Sequence, residues 1–529
     1  MKNRLITLLI FNTSIIFGQS YINYDLSNQF GFVLDNNQII WDNEKKFDDL
    51  LIDRSVMYFD HKFSSFDFDN MPSDSLYVKS KFQYEFGDYG FDKLNIGLRK
   101  QSEDSSFEFI AMKKSFFGTY SEFANEDASP LSLFYKIDYN AIFSKHNFYL
   151  STGYFREDAS FIFNSELGLD TSNNKEFSDF LSITVGDIFI KNDWKYNFEL
   201  NHIDNFNERK IIEHPINHEV DIERNRFNIH ADNSKNVSIE AFLDNVFYKD
   251  KIYSKTYSRT TFYLSNENIL PFGRLKYGVD YINDNIIPNI GYNAQFGSTE
   301  LLIQRENKST RLLFDASDFN SLNDEEVENW DSFIINYYLG GKTDLVSSLK
   351  YVQASNIMTN YSTTGEASIP EDNGYIFNSD DMLSLKTKIS IPFKDSKIDL
   401  THYHNFYDSL ISSNRSHIID IKYHFKTSFV NQNLGIDGKL SLRYLSENES
   451  GYSFDYFRNM PISNSISYDE SYNIGLDLNI SIADVLLTVR LKNALDRLPF
   501  DGDYSINNSQ IFNPMNSLLS FGIIWEFDD

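Results

Sequence analysis

The chain of 529 residues has 48 Lys and Arg against 76 Asp and Glu, a formal net charge of −28. Charge of that sign argues against nucleic-acid binding and against simple Coulomb attraction to anionic surfaces. The chain has no cysteine, which excludes a lipoprotein anchor, a disulfide framework and a thiolate metal site. Mean hydropathy is −0.41. No segment after the N-terminus approaches about 18 consecutive apolar residues, so membrane-spanning helices are not predicted.

The first eighteen residues have the pattern of a secretory signal peptide. Lys2 and Arg4 form a short positive region, residues 5–17 are mostly apolar, and Gly18 offers a small residue for cleavage. The apolar stretch is too short and too polar in its middle for a membrane helix. The alternative is an N-terminal strand of the mature domain. We predict cleavage near Gly18 and export from the cytoplasm.

Strand-like alternation begins at residue 77. Phe82 and Phe86 fall on one face of residues 78–86, while Lys81 and Glu85 fall on the other. Similar runs occur at residues 131–143, 147–155, 194–202, 237–243 and 274–283. No linker rich in Pro, Gly or Ser separates these runs, so residues 77–529 are predicted to form one domain.

Two segments in the second half of the chain suggest metal chemistry. Residues 324–331 are strongly acidic, but they lack the glycine and the ligand spacing of a calcium-binding loop, which favours a solvated acidic loop. His402 and His404 lie two apart on one face of a predicted strand at 396–407, a spacing that suits a metal ion. The sequence places no third imidazole or carboxylate beside them. Histidines at the end of a strand, near a membrane interface, are therefore the favoured interpretation.

Alternation with a period of two is clearest in the last third of the chain. In residues 472–482, Leu476 and Leu478 share one face, whereas Asp477 and Asn479 share the other. The other runs of this kind are residues 383–391, 419–426, 434–444 and 485–492. A helical period would scatter these apolar residues around all sides, so the segments are predicted to be strands.

The connections between these strands predict how they assemble. Residues 483–484 form a turn of the length that a tight hairpin uses, whereas the links 446–470 and 494–516 are long. Short turns on one side and long loops on the other are typical of outer-membrane barrels. The link 408–413 is short where this scheme requires a long one. The predicted fold class is an all-β, transmembrane, antiparallel up-and-down barrel of about 22 strands, with about 16–18 as the alternative. Residues 19–76 would then be the first strands or a periplasmic or lumenal extension.

The polar face of the late strands is predicted to line the lumen. Its cations are Lys386, Lys388, Lys422, Lys426, Lys439, Arg443, Arg490 and Lys492, and its anions are Asp420, Asp437, Asp477 and Glu526. This part of the wall is positive although the whole chain is acidic. A wall of that sign favours anionic or neutral polar solutes over cations.

The end of the chain resembles the end of a known family of barrels. The segment Val489-Arg-Leu-Lys-Asn-Ala-Leu-Asp496 is followed by a strand, residues 517–527, whose apolar face ends in aromatic residues. This looks like the close of TonB-dependent receptor barrels, with their Asn-apolar-apolar-Asp step at Asn493 and Asp496. The resemblance implies that the assembly signal of the barrel consists of Phe521, Trp525 and Phe527. The resemblance to the family involves particular residues over 489–527, whereas before residue 489 it concerns only the barrel architecture.

Members of that family carry a globular plug, and residues 21–75 are too few for one. We therefore expect a barrel without its own plug. The favoured function is an outer-membrane channel for small polar solutes, or a transport barrel with a partner-supplied plug or surface lipoprotein. A surface-exposed binding or scaffold barrel is the alternative, and a lipid hydrolase is less favoured. Neither enzyme activity nor a cofactor is predicted. The expected partners are outer-membrane lipid, lipopolysaccharide and the barrel assembly machinery.

Overall fold

The computed structural model describes residues 32–35, 38–41, 77–115, 131–160, 175–210, 217–233, 236–250, 254–282, 285–309, 327–341, 343–361, 374–406, 416–429, 434–447, 452–455, 460–463, 470–482, 485–492, 494–497 and 517–528. In chain order the strands are β1 (Phe32–Asp35), β2 (Gln38–Trp41), β3 (Tyr77–Gly87), β4 (Asp92–Gln101), β5 (Ser105–Ser115), β6 (Leu131–Phe143), β7 (His146–Ser160), β8 (Lys175–Lys191), β9 (Trp194–Lys210), β10 (Asn217–Asn233), β11 (Val237–Asp250), β12 (Ser254–Leu270), β13 (Gly273–Ile282), β14 (Asn285–Phe296), β15 (Thr299–Ser309), β16 (Val327–Leu339), β17 (Asp344–Tyr361), β18 (Gly374–Pro392), β19 (Ser396–Asn405), β20 (His417–Phe429), β21 (Leu434–Leu445), β22 (Tyr452–Asp455), β23 (Met460–Ser463), β24 (Ser471–Ile482), β25 (Val485–Lys492) and β26 (Leu518–Asp528). Short 3₁₀ turns occupy Asp88–Gly90 and Ala494–Arg497. Among the described residues, no helix has the length and apolar character needed to cross a bilayer.

Twenty-two strands close into one antiparallel barrel. Strands β3 to β21 and β24 to β26 follow chain order around the wall, and β21 pairs directly with β24. The barrel closes where β26 pairs with β3, with Ser520 opposite Gly87 and Asp528 opposite Lys79. The hairpin β1–β2 is a separate two-stranded sheet, and β22–β23 lies in the connection between β21 and β24. The predicted up-and-down barrel of about 22 strands is confirmed, and the alternative of about 16–18 strands is wrong.

The two ends of the barrel differ in the length of their connections. One end carries only short turns: residues 102–104, 144–145, 192–193, 234–236, 271–272, 297–298, 340–343, 393–395, 430–433 and 483–484. The other end carries the links 88–91, 116–130, 161–174, 211–216, 251–253, 283–284, 310–326, 362–373, 406–416, 446–470 and 493–517. The connection 406–416 fits the scheme, because β19 ends at Asn405 and β20 begins at His417. Links 88–91, 251–253 and 283–284 are exceptions, since they are short although they lie at the end with the long connections. In outer-membrane barrels the short-turn end faces the periplasm.

Local chemistry explains the tightest of the short turns. Asn192 and Asp193, between β8 and β9, both have positive φ, 51° and 62°. A type I′ hairpin needs positive φ at both central residues, and asparagine and aspartate tolerate it better than other side chains do. The strands that this turn joins are each 17 residues long. A tilted strand needs only about 9–11 residues to cross a bilayer, so this part of the wall extends beyond the hydrocarbon layer.

Candidate functional site: the inner face of the barrel

The two faces of the barrel wall differ sharply in exposure. On β26, Phe521 and Trp525 are 42% and 43% exposed, whereas Ser520 and Ile524, on the opposite face of the strand, are 2% and 8% exposed. In a transmembrane barrel the exposed apolar face contacts lipid. We call this the outer face and the opposite one the inner face.

Some large side chains on the inner face are almost completely buried, whereas others are exposed. Arg224, Trp330, Lys350 and Tyr403 are 0%, 0%, 2% and 1% exposed. Lys388 and Lys426 on the same face are exposed. The four buried side chains belong to β10, β16, β17 and β19, in separate parts of the wall. Barrels of about 16–18 strands already leave an aqueous channel, and a wider barrel has a wider lumen.

A group of basic side chains lies on the inner face of neighbouring strands. We define the basic stripe as Lys350 on β17, Lys386 and Lys388 on β18, and Lys422 on β20. The ammonium nitrogen of Lys386 lies 5.4 Å from the centroid of the Tyr403 ring, a cation–π contact. Three members were predicted from the sequence, and the structure adds Lys350, which lies opposite Ser384. Residue Lys350 was missed because β17 was not recognised as a strand.

Most of the other predicted lumen cations are ion-paired with neighbours on the wall. The pairs are Arg443 Nε with Asp420 Oδ1 at 2.6 Å, Lys439 Nζ with Asp477 Oδ2 at 2.6 Å, and Lys426 Nζ with Asp437 Oδ2 at 3.1 Å. Each pair joins two adjacent strands among β20, β21 and β24. The side chains of Lys492 and Glu526 lie outside the described residues.

A buried polar group lies where the barrel closes. Arg490 Nη1 donates a hydrogen bond to Glu85 Oε2 at 2.9 Å, and the Ser520 hydroxyl donates to Glu85 Oε1 at 2.6 Å. Beside them, the amide of Asn95 donates to Gln83 Oε1 at 3.1 Å. These side chains come from β25, β26, β3 and β4, so they connect the last strands of the chain with the first. Of this group, Arg490 was predicted to line the lumen, and its partner could not be identified without the register of closure.

His402 and His404 lie on the outer face of β19, and the structure brings a third imidazole to them. His417, the first residue of β20, lies directly opposite His404. His402 Nε2 and His417 Nδ1 are 3.2 Å apart, and the ring centroids of His404 and His417 are 4.5 Å apart. Sequence spacing alone gave no sign of this neighbour, because His417 follows a connection whose length does not fix the register.

The acidic segment predicted to be a loop is partly a strand. Val327–Leu339 forms β16, so the loop expectation is wrong for residues 327–331, while residues 324–326 lie outside the described part of the chain. Asp331 accepts hydrogen bonds from Arg305 Nε at 2.6 Å and from Arg305 Nη2 at 2.5 Å. This forked contact between β15 and β16 occupies both carboxylate oxygens.

The residues assigned by resemblance have the following positions. Phe521, Trp525 and Phe527 all lie on the outer face of β26, and the rings of Trp525 and Phe527 are 4.5 Å apart. Asn493 lies outside the described residues. Asp496 belongs to the 3₁₀ turn after β25, although its side chain is not described. Residues 1–18, assigned to the signal peptide, also lie outside the described residues.

The fold is shared with solved receptors of bacterial outer membranes. No model of a known protein family matches the chain, and no curated protein matches it in sequence. The FrpB iron transporter of Neisseria meningitidis superposes with a TM-score of 0.62 at 10% identity, over 85% of this chain and 82% of that one. The siderophore receptor PirA of Acinetobacter baumannii gives 0.61 at 9% identity, over 87% and 81%. The ferripyoverdine receptor of Pseudomonas aeruginosa, bound to ferripyoverdine, gives 0.60 at 11% identity, over 87% and 72%.

At these identities the likeness establishes fold alone. The chain forms a closed antiparallel β-barrel of 22 strands. Within that class, its barrel resembles those of TonB-dependent siderophore receptors, as the C-terminal strand pattern implied.

Proposed function

We propose that the protein is a gated transport barrel of the bacterial outer membrane, in which a cover closes the lumen at rest. The observation that supports this most directly is the burial of the inner face. Lys350 and Tyr403 are 2% and 1% exposed on a wall of 22 strands. An open porin would leave such side chains in water. A covered lumen distinguishes a gated barrel from an open channel, and the sequence analysis had left both an open channel and a partner-plugged barrel as favoured functions.

We further propose that residues 19–76 provide the cover. These residues include eleven Asp and Glu against four Lys and Arg. An acidic segment complements the basic stripe on the inner face, where opposite charges attract strongly away from bulk water. This charge complementarity favours the lumen over the periplasm as the location of the extension.

The transported molecule is proposed to be a small polar solute, with anions favoured over cations by the basic stripe. The similar structures are an iron transporter and siderophore receptors, and we extend only gated transport from them to this chain. Outer-membrane lipid, lipopolysaccharide and the barrel assembly machinery are the proposed partners. The proposal involves no catalytic step.

Single thiols test whether the lumen is covered. The natural chain has no cysteine, so Ser384→Cys and Lys388→Cys each introduce one thiol on the inner face of β18. Ser384 is 1% exposed and Lys388 is exposed. A membrane-impermeant maleimide should label Lys388→Cys quickly and Ser384→Cys slowly in the full chain. Equal, rapid labelling of both would show an open pore and contradict gating.

Removal of residues 19–76, with the signal peptide retained, tests the identity of the cover. Deletion should accelerate the labelling of Ser384→Cys and turn an electrically silent barrel into a conducting one. If Ser384→Cys stays protected after deletion, a different segment closes the lumen. The rate for Lys388→Cys is the control, because deletion should change it little.

A further inference from the structure

The outer face of the barrel carries a histidine cluster that transport does not require. Three of the ten histidines of the chain, His402, His404 and His417, lie together at the end of β19 and the beginning of β20. This is the end of the barrel with the long connections, next to residues 406–416. His417 is exposed, and the other two are half-buried. The cluster is therefore accessible at the outer rim of the wall.

The spacing of the nitrogens suits a single metal ion. His402 Nε2 and His417 Nδ1 are 3.2 Å apart. Two nitrogens bound to the same tetrahedral zinc, each at about 2.0–2.1 Å, are separated by about 3.3 Å. The two rings are now stacked, with an interplanar angle of 12°, so both must rotate for their lone pairs to meet at one ion.

The third imidazole is already oriented as a ligand. His404 Nδ1 lies 3.1 Å from the backbone carbonyl oxygen of Ser416, to which it donates its proton. That bond leaves the lone pair on Nε2. Metal-binding histidines characteristically donate their other N–H to a carbonyl or carboxylate in this way. The Phe406 ring packs edge-on against the His404 ring, with the ring centroids 4.4 Å apart.

We propose that His402, His404 and His417 bind one divalent transition metal ion of the zinc or copper class on the outer face of the barrel. Imidazole nitrogen is a preferred donor for these ions and a poor one for magnesium or calcium. Three protein ligands leave a fourth position for water or for a phosphate oxygen of a neighbouring lipid. Among the described residues, no three candidate ligands already surround a common point, so the site forms by rotation of the imidazoles when the metal enters.

Zinc binding by the full chain tests the proposal. The protein is purified without a polyhistidine tag, in a detergent that does not chelate, and dialysed against Zn²⁺ alone. The wild-type chain should bind one Zn²⁺, and His404→Gln and His417→Gln should each weaken binding by at least about tenfold. The matched control is His424→Gln, also on β20, because its imidazole lies on the inner face, 3.6 Å from Asp399. That variant should bind as the wild type does.

Two further measurements separate ligand loss from misfolding. All variants should show the same heat-modifiable migration on gels, and Cu²⁺ bound to the wild type should show nitrogen hyperfine splitting in its electron paramagnetic resonance spectrum. No binding to the wild type would overturn the proposal. Wild-type binding in His404→Gln and His417→Gln, or loss of binding in His424→Gln, would equally overturn it.

Discussion

Arg490 and Glu85 are 405 residues apart in sequence, yet Arg490 Nη1 lies 2.9 Å from Glu85 Oε2. The pair spans the closing strand, since Arg490 belongs to β25, Glu85 to β3, and β26 runs between them. The side chains are 5% and 1% exposed. Ser520 on β26 donates to the other carboxylate oxygen of Glu85, so all three strands of the seam share one buried carboxylate.

We predict that breaking this pair destabilises the closed barrel. Arg490→Met removes one cation from beside the buried Glu85 carboxylate, and breaking a buried ion pair costs about 3–5 kcal/mol. The double variant Arg490→Met, Glu85→Gln should be more stable than the sum of the two single effects implies. Urea unfolding, followed by the loss of heat-modifiable migration, measures both quantities.

The control for this pair is Lys426→Met. Lys426 is 41% exposed and lies 3.1 Å from Asp437, so solvent screens the interaction. Its removal should cost only about 0–1 kcal/mol. If Arg490→Met has no larger effect than Lys426→Met, the seam contact contributes little to closure.

A second prediction tests which face meets lipid. Leu440 is 44% exposed on the outer face of β21, far from either end of the strand. Arginine on the lipid face costs about 2–4 kcal/mol at mid-bilayer and about 0–1 kcal/mol near the interface. Leu440→Arg should therefore reduce the amount of folded barrel per cell much more than Thr427→Arg, on the same face beside the turn 430–433. Equal yields of the two variants would contradict the assignment of faces or the depth of Leu440.

A third prediction concerns an aromatic ring that lies over a glycine. A Cβ atom on Gly438 would lie about 2.1 Å from Cζ of Phe425, its direct cross-strand partner. The ring covers the glycine backbone, as aromatic residues do beside glycines in other sheets. Gly438→Ala must displace the ring, and overpacking of this kind costs about 1–3 kcal/mol. Urea unfolding of the variant measures the cost.

Gly291→Ala is the matched control, also within a strand. Its Cβ would meet nothing closer than 3.7 Å. Alanine restricts the unfolded chain more than glycine does, so this substitution should be neutral or stabilise by about 0.4–1 kcal/mol. A destabilisation as large as that of Gly438→Ala would mean that steric displacement of Phe425 is not the cause.

The barrel could be predicted from the sequence because successive residues of a strand point to opposite faces, so the residues of one face recur at every second position. The late strands were found where lipid-facing residues are uniformly apolar, as in β24 and β25. The alternation is weaker in β17, where Ser347 and Ser348 are neighbours, and that strand and Lys350 were missed. Alternation within a strand shows which residues share a face and roughly where the strand begins and ends. This was enough to estimate the number of strands in the barrel.

Side-chain contacts between strands could not be predicted from the sequence, because they depend on the register in which the strands pair. Glu85 was recognised as polar-facing, but its pairing with Arg490 follows from the closure of the barrel. His417 meets His404 only because β19 and β20 pair in one particular register across residues 406–416.

The final prediction concerns ion selectivity once the lumen is opened. With residues 19–76 deleted, the basic stripe faces water, and a positive wall raises the local concentration of anions. The deleted barrel should therefore prefer chloride over potassium, measured as a reversal potential under a KCl gradient. Lys388→Glu should reduce that preference, because this exposed residue lies on the inner face of β18. Lys249→Glu makes the same change of charge on the outer face of β11 and should leave the reversal potential unchanged. Clear cation selectivity of the deleted barrel would show that charges elsewhere on the inner face outweigh the stripe.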